Sequence, residues 1–196
     1  MDLQNNELEI LRIFSKKAKD IANHAVFKEN RLQVSINIKW EKGGPTYTRI
    51  TAPEYQELLP IVTIVRQSYM ENESISFVRV YSIVYQHLAK KTELDPRIMD
   101  CVKSAMSGFR DLLRRERLQF SIRMDKKALG PREIVDIWFN GNMFHSDIEK
   151  LRKYERLWTA PTGPLADFVF RSTILELANL MVYFGGIIDS HILGDK

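Results

Sequence analysis

Three places in the chain combine side chains that could move protons, hold a metal ion or grip phosphate. The first is the run Trp138-Phe139-Asn140-Gly141-Asn142-Met143-Phe144-His145-Ser146-Asp147, three large aromatics, two asparagines, a histidine and an aspartate around an Asn-Gly turn. His145 offers a ring nitrogen suited to a general base or a metal ligand, and Asp147 is close enough in sequence to orient it. The same residues also have structural work. Phe139, Met143 and Phe144 can fill a core, Asn140 and Asn142 can satisfy turn backbone, and Ser146 with Glu149 makes a capping box for a helix from Asp147 to Trp158. Turn and cap chemistry explains each of them, so it is the leading reading of the 140–147 loop.

The second place is Asp189 and His191 near the C-terminal end. Joined to His145 and Asp147 they would form a set of two histidines and two carboxylates able to hold a divalent metal, but no spacing in the sequence requires the two pairs to meet. His24 and His87 stand isolated in helical stretches. No cofactor is expected.

The third is basic. In Arg110-Asp111-Leu112-Leu113-Arg114-Arg115-Glu116-Arg117, the residues Arg110, Arg114 and Arg117 recur at four and three, on one helical face with Arg115 beside them. Guanidinium groups in a row can engage successive phosphates of a nucleic acid. Asp111 and Glu116 are interleaved, however, and a salt-bridged, solvated face is the competing outcome. Cys101 lies mid-helix among apolar neighbours, a setting for inert packing. The chain contains no GxxxxGK[ST] loop, GxGxxG fingerprint, HExxH, CxxC or GxSxG elbow, so the common phosphate-loop, dinucleotide, zinc-protease and serine-hydrolase signatures do not apply.

These groups must be held by something, and the strongest element is the apolar run at about 164–192. Thr162 or Gly163 can cap it, Pro164 suits a first turn, and Asp167 complements the helix dipole. Between Ile174 and Phe184 only Glu176 and Asn179 interrupt it, which predicts a buried central helix loosened at its end by Gly185-Gly186. Ser172, Glu176, Asn179 and Tyr183 recur at four, three and four, a narrow polar stripe that either reaches the surface or lines a contact.

The remaining pattern predicts its cover. Residues 5–29 form an amphipathic helix. Alternation in Leu32-Val34-Ile36-Ile38-Trp40, the turn Glu41–Pro45 and the β-branched run Thr46–Thr51 predict a hairpin at about 31–51, with Leu118–Met124 a candidate third strand. Further helices follow Pro53, span Phe77–Leu88, start at Asp95-Pro96, and start again at Gly130-Pro131 with Ile134, Val135, Trp138 and Phe139 on one face. The expectation is a mainly α (α+β) single domain over 1–196, about six helices around a buried C-terminal helix, with a small antiparallel hairpin or three-stranded sheet.

Its 196 residues can bury a real core, and 44% hydrophobic with 28% charged residues is ordinary for a globular chain. The single cysteine and polar, acidic start suggest the cytoplasm, and charged residues within the apolar run argue against a membrane span. A net charge of +4 permits an acidic partner without demanding one. The function expected is therefore a non-enzymatic cytoplasmic interaction or regulatory protein, with a protein partner or self-association. The alternative is a nucleic-acid-binding protein or metal-assisted nuclease using Arg110, Arg114, Arg115 and Arg117 with the 140–147 loop.

Overall fold

Apolar residues spaced by three and four draw much of this chain into helices, and in the computed structural model it is mainly helical. The structure describes residues 3–29, 35–41, 44–51, 53–117, 122–124, 134–139 and 164–194. In order these give α1 (Asn5–Ala22), α2 (Ala25–Lys28), β1 (Ser35–Glu41), β2 (Gly44–Thr51), α3 (Tyr55–Ser68), α4 (Phe77–Leu88), α5 (Pro96–Arg117), β3 (Ile122–Met124), β4 (Ile134–Phe139) and α6 (Pro164–Ile188). A π-helical turn, Asp189–Leu193, continues α6. Among the described residues no helix is long and apolar enough to cross a membrane.

The chain divides into two compact units, one of Met1–Glu29, Gln56–Leu112 and Glu176–Lys196, the other of Asn30–Tyr55 and Leu113–Leu175. The core of the first is aromatic. Phe77 from α4 stacks on Phe109 from α5 with centroids 4.3 Å apart, and Phe14 of α1 meets Phe77 and Phe184 of α6 edge-on at 6.1 and 5.9 Å. All four rings are buried, with Leu11, Ile21, Leu58, Ile61 and Leu88 among the other fully buried side chains of this unit. Burial of this kind is what makes these helices stable, since propensity alone seldom suffices.

Helix ends follow local chemistry. The backbone N–H of Gln4 donates to Glu7 Oε2 at the start of α1. Asp95 Oδ1 accepts from the N–H of Arg97 at 2.9 Å, capping α5 just before its first-turn Pro96. The amphipathic stretch over 5–29 is not one helix. It breaks at Asn23–His24, where His24 takes extended backbone angles and its Nδ1 accepts from the N–H of Val26, starting α2.

In the second unit the strands form one sheet in the order β2-β1-β4-β3, every neighbour antiparallel. Among the described residues four strands, rather than two or three, compose it. The fourth is Ile134–Phe139, expected above as a helix: its apolar positions fit both periods, and a short β-branched and aromatic run cannot be assigned by periodicity alone. Pairing decides, with Ile36 opposite Ile137 on one side and Met124 opposite Ile137 on the other. Of the stretch Leu118–Met124, Ile122–Met124 is strand, and it pairs with β4. Arg171 Nη1 of α6 donates to the carbonyl of Pro53 at 2.9 Å, within the same unit.

Candidate functional site

Gly185 and Gly186 do not loosen α6, which runs through both to Ile188. A Cβ on Gly185 would lie 2.5 Å from the Cβ of Ala18, so α1 and α6 cross there at a distance only glycine allows. Gly186, on the other face, would meet nothing within 4 Å. This close crossing carries the end of α6 onto the flank of α1.

The consequence is a cluster of charged and polar groups. Ser15 Oγ donates to Asp189 Oδ1 at 2.5 Å, and Lys19 Nζ lies 2.9 Å from Asp189 Oδ2, so both carboxylate oxygens have partners. Arg12 and Lys16, exposed on the same face of α1, line with these three a groove of about 510 Å³. The π-helical turn is held at two further points: the N–H of Gly194 donates to the carbonyl of Asp189 at 2.8 Å, and Lys91 Nζ to the carbonyl of His191 at 2.7 Å. A lysine on a terminal carbonyl satisfies one of the acceptors that a helix end leaves open. A smaller cavity of about 200 Å³ lies by Glu7, His87 and Lys90.

The polar stripe of α6 is the second feature. Glu176 is half-buried, while Asn179 and Tyr183 are exposed, and Gly186 and Ser190 extend the exposed line at three and four. Tyr183 is 49% exposed although its neighbours Ala178, Met181, Phe184 and Ile187 are buried. The Cys101 thiol of α5 beside its hydroxyl raises the phenol above its ordinary value, with some help from desolvation. Cys101 is half-buried.

Other residues singled out in the sequence are placed as follows. His145 and Asp147, and with them the 140–147 loop and the helix expected after it, lie outside the described residues. Asp189 is engaged with Ser15 and Lys19, and His191 is half-buried in the terminal turn. Among the described residues no three of histidine, cysteine, aspartate and glutamate gather as a metal site. Arg110 is exposed on α5, whose helical backbone also carries Arg114, Arg115 and Arg117.

The Arg12–Lys16–Lys19 row escaped the reading of the sequence. Its signal was present, since these cations recur at four and three between the apolar positions of α1, but nothing local announces that Asp189, 174 positions from Ser15, will face them. No family model, no curated protein and no solved structure matches the chain.

Proposed function

We propose that the protein is a non-enzymatic, cytoplasmic interaction or regulatory protein that receives a helix of a protein partner, or of a second copy of itself, along the Asn179–Tyr183–Gly186 stripe of α6. In this reading α6 is the central helix of a bundle that keeps one narrow face for a partner. The supporting observation is Tyr183, a large ring 49% exposed on the most apolar of the described helices, with a glycine one turn further on that leaves open space beside it. Spacing at four and three is the seam along which helices pack, and a tyrosine beside a glycine offers a knob and a hole. Tyrosine is also among the residues enriched where binding energy concentrates.

Sedimentation velocity over a range of concentrations, together with affinity capture of partners, tests this. The wild-type chain is expected to self-associate or to retain a specific partner, and Tyr183→Arg to abolish that association with little change in melting temperature. A strictly monomeric chain without a partner, or an association indifferent to Tyr183→Arg, would overturn the reading.

A further inference from the structure

Among the described residues, the groove between α1 and the terminal turn carries three cations and one carboxylate, Arg12, Lys16 and Lys19 against Asp189. We propose that this groove binds an oligophosphate anion, whose phosphate groups are gripped by Arg12, Lys16 and Lys19. The inference stands apart from the α6 stripe and does not depend on it.

Positions 12, 16 and 19 share one face of α1, where neighbours at these spacings stand about 5–6 Å apart. The row rises roughly 10 Å along the helix. A single phosphate or carboxylate reaches one or two of these groups, whereas an anion with several phosphates reaches all three. Arg12 supplies a planar fork for two oxygens, and the lysines supply rotatable point charges.

Asp189 opposes an anion, but its charge is partly taken up by its partners. Its two oxygens are occupied by Ser15 and Lys19. Lys19 remains 64% exposed, and its ammonium has three donors, so the pair leaves it able to bind outward. A volume of about 510 Å³ falls in the range of small-molecule sites. Leu193 is the one large apolar side chain among the described lining residues. Recognition therefore falls on the phosphates rather than on any ring they carry. Gly194 closes the turn without a side chain, and a Cβ there would sit 2.7 Å from the carbonyl oxygen of Asp189.

Isothermal titration of the full chain at low ionic strength, with tripolyphosphate as the probe, tests the assignment. Affinity is expected to fall from tripolyphosphate to pyrophosphate to orthophosphate. A nucleoside triphosphate should bind no tighter than tripolyphosphate, and citrate should bind more weakly. The double variant Arg12→Ala/Lys16→Ala, both positions exposed, is expected to lose about tenfold or more in affinity, some 1.4 kcal/mol, at unchanged melting temperature. Asp189→Asn is expected to tighten binding while lowering the melting temperature, because it removes the negative charge along with a charged partner of Lys19. Weaker tripolyphosphate binding by Asp189→Asn would overturn the proposal, because the carboxylate is the charge that opposes the anion. Absence of binding at millimolar tripolyphosphate, equal binding by the double variant, equal affinity for citrate, or a nucleotide bound far more tightly than tripolyphosphate would overturn the proposal.

Discussion

Gly185 and Gly186 are neighbours of identical chemistry in the same helix, and their substitution should have opposite effects. Alanine gains about 0.5–1 kcal/mol over glycine in a helix interior because the unfolded chain has less freedom to lose. At Gly186 a methyl group meets nothing within 4 Å, so Gly186→Ala is expected to stabilise by roughly that amount. At Gly185 the methyl would be driven against Ala18, and α1 must move away from α6. Overpacking of this kind costs about 1–3 kcal/mol, more than the entropic gain, so Gly185→Ala is expected to destabilise. Urea unfolding of the two variants checks the pair: a stabilised Gly185→Ala would show that α1 and α6 are not in close contact there, and a destabilised Gly186→Ala would show that the space beside it is not open. The sequence displays a Gly-Gly pair near a helix end, which reads as loosening. Only the position of Ala18, far away along the chain, shows that one of the two permits a close crossing.

At the scale of the element, α5 shows how a local signal is read correctly. Asp95-Pro96 announces a cap and a first turn, and both appear because the atoms involved lie within two residues of each other. Arg97 adds a forked ion pair to the same carboxylate, with Nη2 at 2.7 Å from Oδ2 and Nε at 2.9 Å. The hydrogen bonds from the Arg97 side chain, and then from its backbone, hold Asp95 below its ordinary 3.8. A depressed carboxylate contributes stability that is present above its unfolded value and is lost as pH falls through the folded one. The start of α5 should therefore weaken below about pH 4, and Asp95→Asn should flatten the dependence of stability on pH in that acid range. The comparison is made by thermal melts of both proteins from about pH 6 down to pH 2, and parallel curves would refute the assignment. By contrast β4 was illegible, since the preference of Ile134–Phe139 for a strand depends on β1 and β3, which lie outside any local window.

On the scale of the molecule, periodicity identified the apolar faces of α1, α4 and α5, and a nearly unbroken apolar run identified α6, but neither could say which ring meets which. Phe14, Phe77, Phe109 and Phe184 come from four helices, and Phe77 touches each of the other three rings. Contacts between helices so distant along the chain carry no signature in a single sequence. They do fix where cooperativity lies, because a side chain shared by four helices is lost to all of them at once. Removing a buried phenylalanine side chain costs about 3–5 kcal/mol from the transfer of the ring and the cavity it leaves. Domains are stable by only about 5–15 kcal/mol, so Phe77→Ala is expected to leave its unit near the edge of folding. Phe77→Leu keeps most of the volume and is expected to lose less, giving a folded protein in which the loss can be measured. Chemical denaturation should show a lower midpoint for Phe77→Leu with an unchanged slope, because the surface exposed on unfolding stays the same. A Val78→Ala control, at an exposed position next in sequence, should barely move the midpoint. If Phe77→Ala cost less than about 1 kcal/mol, the four rings would not be the centre of this core.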